Sequence, residues 1–326
     1  MFPNATARAI AHPNIALIKY WGNRDDQYHI PFHDSISFNL GALYTQIQVT
    51  LDTRYKQDQL IMNGEPANSQ AHLRVSQFLD YFRHQSGVQG HCKIESTNNF
   101  PTAAGIASSA AAFAALTLAA AKVYQLELDP RQLSQIARLG SGSACRSVPG
   151  GFVQWIAGHD HQSSYAESFA PPHHWDLIDC IAIIGDEQKK ISSLEGHRLA
   201  HTSPIQSARL ESAASRVNAC RSAIEEKDFP KLTEVVELDS NLMHAVMMTS
   251  SPPIFYWEPP TIAVIKQVQH WRMEGLPTLY TIDAGASVHV ICPTQFAAQI
   301  YELLGKIPGV KSVISSGVGG AAQLLE

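Results

Sequence analysis

Lys19 and Asp283 are the residues whose surroundings most demand a chemical explanation. Lys19 lies in the apolar run Ile15 to Trp21, and Asp283 carries the only charge between Leu276 and Cys292. A charge in such a setting needs a partner or a polar cavity. Each also has a plainer local reading: a lysine at a strand end can snorkel to solvent, and an aspartate before Ala284-Gly285 can cap a turn. A third feature suits an anion. From Asn98 to Ala110 a small-residue loop runs into an alanine-rich helix, predicted over Ala107 to Tyr124. Gly105, Ala103 and Ala107 let backbone come close to a ligand, and the unpaired N–H groups of the helix start point at it. Ser108 and Ser109 add hydroxyls there that can cap the helix, hold a phosphate oxygen or, at Ser109, meet Mg²⁺. No Gly-Lys-Ser/Thr follows, so the loop is not the Walker type. Finally, Ser141, Ser143 and Arg146 occupy a glycine-spaced turn that presents two hydroxyls and a guanidinium, a planar fork suited to a carboxylate.

These residues need elements to position them. Alternation over Gln46 to Leu51 predicts a half-buried strand, Ala71 to Phe82 an amphipathic helix, and Lys93 to Ser96 a short strand. Asp129-Pro130 opens a helix that ends by Gly140. Phe152 to Ile156 reads as a strand, and the polar, histidine-rich stretch Gly158 to His174 as a surface loop near a domain boundary. Beyond it come a buried strand at Cys180 to Ile184, two helices within Ser203 to Leu242, a helix over Thr261 to Gly275, strands at Thr278 to Ile282 and Ser287 to Cys292, and a helix over Thr294 to Leu304. This mixed order predicts an α+β fold, not a doubly wound sheet. Gly317-Val318-Gly319-Gly320 fits a loose dinucleotide pattern, but too little chain follows for a βαβ unit, so it reads as a tight turn closing the second domain.

A chain of 326 residues exceeds what one core usually supports, so two domains sharing a cleft are expected, divided as 1–178 and 179–326. The net charge of −5 offers no basic footprint for nucleic acid, so any bound anion must be met by local charges. With no leader-like segment and no apolar window of spanning length, a cytoplasmic protein is expected, with no membrane partner. The five cysteines are scattered without a Cys-x-x-Cys pair, which predicts reduced core residues and no zinc site. Neither His-Glu-x-x-His nor Gly-x-Ser-x-Gly occurs, against a zinc protease or a serine hydrolase.

Four segments, in order, resemble the mevalonate diphosphate decarboxylases of the GHMP kinase superfamily: Pro13 to Gly22, the loop at Asn98 to Ala110, Gly140 to Ser147, and Thr281 to Gly285. Asn63 to Pro66, Phe229 to Leu242 and Ser251 to Phe255 extend the likeness over nearly the whole chain. The resemblance implies a two-domain GHMP kinase fold, with a ribosomal-protein-like N-terminal domain and a ferredoxin-like C-terminal one. It also implies ATP and Mg²⁺ as cofactors, a phosphorylated mevalonate as substrate, and a homodimer. Carried onto this sequence it makes Asp283, Lys19 and Arg146 catalytic, with Asp283 near the tertiary hydroxyl and Arg146 on the substrate carboxylate. Tyr20 and Arg74 become contacts to the terminal phosphate, and Asn23, Asp34, Ser35, Ser141 and Ser143 further substrate contacts. Asn98, Ala103, Gly105, Ala107, Ser108, Ser109, Lys189 and Ser192 would hold ATP.

Two positions depart from the diphosphate-using pattern. Asn23 stands where those members carry lysine, and the run His33-Asp34-Ser35 brings in a carboxylate, looking instead like the phosphomevalonate decarboxylases. A lost cation and an added anion disfavour a second phosphate. Mevalonate 5-phosphate is therefore the expected substrate and isopentenyl phosphate the product. The alternatives are a diphosphomevalonate decarboxylase making isopentenyl diphosphate and a mevalonate 3-kinase that stops after phosphorylation.

Overall fold

The computed structural model describes residues 5–52, 54–100, 108–185 and 191–326. The first strand, Ala5–Ala11, turns Ala7, Ala9 and Ala11 inward and pairs antiparallel with Thr45–Asp52, whose alternate residues are likewise buried. Together with Gln59–Met62, Glu65–Pro66, His91–Asn98 and Gln323–Leu325 they form a six-stranded sheet. Every pairing in it is antiparallel except that of Gln59–Met62 with His91–Asn98. The helix Ser108–Val123 is buried almost all round and lies on this sheet, because its alanines let the helix axis come close. Ser69–Ser86 and Pro130–Gly140 complete the layer. The first is capped by Asn68, whose side chain accepts the Ala71 N–H, and the second by the reciprocal Asp129–Gln132 box with Pro130 in its first turn.

A second, four-stranded sheet contains Asn14–Ile18, Ser35–Asn39, Phe152–Ile156 and Tyr165–Ala170, and a third contains Leu177–Ile183, Leu279–Thr281, Val288–Pro293 and Ser312–Gly317. One buried cluster joins them: Ile15, Leu17, Phe38 and Phe152 pack with Val217 and Leu232 of the helices Ala213–Glu226 and Phe229–Thr249, and with Leu279 and Ile291. Residues far apart in the chain are thereby brought face to face.

Three expectations are corrected. The stretch expected to be a loop from Gly158 to His174 contains the strand Tyr165–Ala170, an edge strand paired with Phe152–Ile156; its alternation is short and interrupted by polar residues. The segment expected to contain two helices has three, Gln206–Glu211, Ala213–Glu226 and Phe229–Thr249, with the last running past Leu242. The glycines near Gly319 do not close the second half of the chain on itself. They cross back beside Asn39 and Gly151, where a β-carbon on Gly150 would lie 2.3 Å from the Ala321 nitrogen, and lead into the Gln323–Leu325 strand paired with Ala5–Ala11.

Candidate active site

Lys19 follows directly on the strand Asn14–Ile18 and is buried at 1% exposure. Its Nζ donates to Asp283 Oδ1 at 2.5 Å, across 264 positions of sequence. Asp283 sits in the turn between Leu279–Thr281 and Val288–Pro293, with a side chain 26% exposed. It therefore joins a buried ammonium to open space. Burial pulls the Lys19 pKa below its ordinary value, against the opposing effect of Asp283. For Asp283, burial works upward, but the ammonium, together with His289 and Arg146, outweighs it and holds the carboxyl below the usual range. The pair is an ionised acceptor and a desolvated cation.

Arg146 projects from the short 3-10 helix Gly142–Ser147 that follows the helix Pro130–Gly140. Its Nε donates to Asn14 Oδ1 at 3.1 Å and its Nη1 to Ser35 Oγ at 2.7 Å, while the guanidinium lies 5.7 Å from the Trp155 ring centre. Asn14 is fixed in turn, donating to Ser147 Oγ at 2.8 Å and to the Ser143 carbonyl at 3.1 Å. Tyr20 packs against Trp155 at 4.6 Å and His197 at 4.1 Å between ring centres, and its hydroxyl donates to Asn23 Oδ1. Burial pushes the phenol far above its ordinary pKa, so it remains a donor. Gly142 is required for this arrangement, because a β-carbon there would stand 2.7 Å from the Tyr20 ring. Lys19, Asp283, Arg146, Ser35 and Tyr20 thus converge, as does Asn14, which sequence reasoning missed.

Asp34, expected to oppose a second phosphate, is turned elsewhere: its two carboxylate oxygens accept the Gln154 amide and the Ala157 N–H, each at 2.8 Å. Asn23 donates to Asp26 at 2.8 Å and holds Tyr20. Arg74 directs Nε and Nη2 at the Gly140 carbonyl, at 3.2 and 2.6 Å, with its guanidinium over Phe113. It forms one wall of a cavity of about 160 Å³ lined by Ser96, Asn98, Ser108, Ser109 and apolar side chains including Leu60 and Ile94. That cavity runs along the first turns of the Ser108–Val123 helix, from Ser108 to Leu116. Ser109 and Ser141 face each other at 3.1 Å between hydroxyl oxygens, linking the cavity to the Arg146 turn. Asn98 accepts from Thr45 at 2.7 Å, and Ser192 caps the helix Ser193–Leu199 by accepting the Glu195 N–H at 3.2 Å. Ala103, Gly105, Ala107 and Lys189 lie outside the described residues. Among the described residues no group of three acidic, histidine or cysteine side chains could hold a metal by itself.

Sequence reasoning also passed over Asp239, Ser240, His244 and His197. Asp239 had a signal: it shares the helical face of Leu232, Val236 and Met243, all of them buried. His197 had none, since its place between Tyr20 and Trp21 depends on tertiary packing.

Comparison with known proteins agrees with this geometry. Residues 11–166 match the diphosphomevalonate decarboxylase-like N-terminal domain, and residues 180–322 the mevalonate 5-diphosphate decarboxylase C-terminal domain. The diphosphomevalonate decarboxylase of Candida albicans is 36% identical over 98% of this chain and 95% of its own. The human one is 37% identical over 87% of this chain and 76% of its own. Among solved structures, mevalonate diphosphate decarboxylase from Staphylococcus aureus superposes with a TM-score of 0.95 at 35% identity, covering 99% and 98% of the two chains. A structure described as MDDEF in complex with MVAPP, AMPPCP and magnesium gives 0.94 at 36% identity, covering 99% of each. These likenesses support the α+β, two-domain GHMP kinase fold and give no support to the phosphomevalonate branch. Domain matches over both halves, relatives this similar along nearly the full length, and a lysine–aspartate pair joining residues 264 positions apart lead to one conclusion: the chain belongs to the diphosphomevalonate decarboxylase family.

Proposed function

We propose that the chain catalyses the ATP-dependent decarboxylation of mevalonate 5-diphosphate to isopentenyl diphosphate. The observation that carries this reading is the Lys19–Asp283 pair, an ionised carboxylate beside a desolvated ammonium, set near the buried guanidinium of Arg146. The 3-hydroxyl oxygen attacks the γ-phosphorus of ATP and ADP leaves, with Asp283 orienting the hydroxyl and accepting its proton. The C3–O bond then breaks as phosphate departs with its electron pair. The bond to the carboxylate carbon breaks in the same stage, its electrons forming the alkene and the carboxylate leaving as carbon dioxide. Arg146 holds that carboxylate until it is lost, and Lys19 keeps Asp283 ionised.

The base of ATP is assigned to the largely apolar cavity beside the Ser108–Val123 helix, and its phosphates to the unpaired N–H groups at that helix's start. Magnesium fits on the donor set to hand: with no carboxylate cluster among the described residues, it would be held by phosphate oxygens and the Ser109 hydroxyl. When bound it neutralises charge on the transferring phosphoryl group. Tyr20, Asn23, Ser35, Arg74, Ser141 and Ser143 are assigned to the substrate, and Asn98, Ser108 and Ser192 with the undescribed Ala103, Gly105, Ala107 and Lys189 to ATP. The division at 178/179 stays the domain boundary we propose, supported by domain matches that end at 166 and resume at 180. The five free, buried cysteines support a reducing compartment, the cytoplasm.

Mevalonate 5-phosphate is a second reading, favoured by Asn23 alone, which contributes no cation beside Tyr20. One assay separates the readings: release of ADP, phosphate and carbon dioxide with mevalonate, its 5-phosphate and its 5-diphosphate side by side. The highest kcat/KM is expected for the diphosphate, with the three products equimolar. A higher value for the monophosphate would overturn the substrate assignment. ADP without carbon dioxide would mean a 3-kinase.

A further inference from the structure

One helix touches both members of the buried ion pair. On Phe229–Thr249 the residues Leu232, Val236, Asp239, Met243 and Val246 are all buried, so Asp239 holds a position where an apolar residue would be expected. Its carboxylate reaches the backbone of Lys19: Oδ2 accepts the Lys19 N–H at 2.6 Å, while Oδ1 accepts Arg216 Nε at 2.7 Å. Arg216 Nη2 donates to the Arg209 carbonyl at 2.9 Å, and Arg209 Nη2 donates to the Lys19 carbonyl at 2.8 Å. The Lys19 peptide is therefore gripped on both sides by groups from Gln206–Glu211, Ala213–Glu226 and Phe229–Thr249. The next residue holds the residue that precedes the other partner. Ser240 Oγ accepts the Ile282 N–H at 3.0 Å, and His244, one turn on, meets the Ile282 carbonyl at 3.3 Å, directly before Asp283.

We propose that Asp239 is a positioning residue for Lys19, and that Ser240 is one for the turn that carries Asp283. The inference rests on the proposed decarboxylase reading. A buried carboxylate bonded to two donors is a costly way to fill a helix face, and an aliphatic side chain would pack there without that cost. What the carboxylate adds is a fixed Lys19 backbone and a field at its ammonium. The charged and titratable groups around the pair are Asp283, Asp239, Arg146 and His244 about Lys19; Arg209, Arg216, His33 and Cys220 about Asp239; and Arg146, His244 and His289, the last bonded to Asp179, about Asp283. Burial lowers the Lys19 pKa, and Asp283 and Asp239 oppose that fall. Removing the Asp239 charge lets it fall further, so the ammonium is lost at a lower pH.

The test compares Asp239→Asn and Ser240→Ala with the unaltered full chain, measuring carbon dioxide release from mevalonate 5-diphosphate and ATP between pH 6 and 10. For Asp239→Asn, kcat is expected to fall at least ~10-fold with both KM values within about 2-fold. Its alkaline limb should move toward neutrality. For Ser240→Ala, kcat should fall while the limb stays in place, because no charge has changed. An unaltered chain that releases no carbon dioxide removes the parent reading and this inference with it. An active unaltered chain with kcat and limb unmoved in Asp239→Asn overturns the role of Asp239 alone. Should Asp239→Asn not fold, Ser240→Ala decides, and an unchanged kcat there overturns the positioning role of the helix.

Discussion

Replacing Asp283 by asparagine keeps the shape of the side chain and removes its charge, so its effects on rate and on stability can be separated. The Lys19 ammonium at 2.5 Å is left in a site where the lysine is 1% exposed. Leaving one member of a buried pair uncompensated costs about 3–5 kcal/mol. Because Asp283 is itself 26% exposed, the lower end, about 3 kcal/mol, is expected. At roughly 2 °C per kcal/mol for a chain of this size, the melting temperature should drop by about 6 °C. The depressed pKa of Asp283 makes its contribution present above the ordinary carboxylate value near 4 and lost as pH falls through its folded value. The gap between variant and parent should thus persist at neutral pH and close in acid. Turnover should fall by ~10² to 10⁴, about 2.7–5.5 kcal/mol in the barrier, with affinity for a non-hydrolysable ATP analogue unchanged. Combining Lys19→Met with Asp283→Leu should restore stability relative to either single change yet leave the enzyme inactive. The reasoning is refuted if Asp283→Asn keeps more than about a tenth of kcat, or if the two changes destabilise additively.

Three further outcomes are expected. Arg146→Lys should lower kcat/KM at least ~10-fold despite keeping the charge, because a lysine cannot bond Asn14 and Ser35 together and still present a flat fork; unchanged kinetics would remove it from the site. Ser109→Ala should weaken binding of the ATP analogue several-fold, read by calorimetry, and move the melting temperature little, since the change removes one half-buried hydroxyl contact with Ser141. Acid should destabilise the fold earlier than carboxylate titration alone would: burial holds His33 and His244 at about 4, so their contribution is present above the ordinary 6.5 and lost as pH falls from there toward 4, each by up to about 1.4 kcal/mol per pH unit. A melting temperature flat from pH 6.5 to 5 would show that these histidines are not buried neutral.

Local chemistry made much of this protein legible in its sequence. The Asp129-Pro130 cap fixed one helix start, alternation from Gln46 to Leu51 one strand, and four ordered segments the family. Lys19 and Asp283 stood out because a charge in an apolar run is costly unless something answers it, and each answers the other. Only the tertiary structure decided which partners polar groups would take. The same kind of carboxylate faces an ammonium at Asp283, a backbone N–H and a guanidinium at Asp239, and an amide and a backbone N–H at Asp34. No spacing rule separates these cases, because the partners arrive from elements up to 264 positions away. The strand at Gln323–Leu325 makes the same point: three residues with little pattern of their own become a strand because Ala5–Ala11 offers an open edge. Burial and hydrogen-bond satisfaction are properties of the assembled core, and the sequence states only which groups will need them.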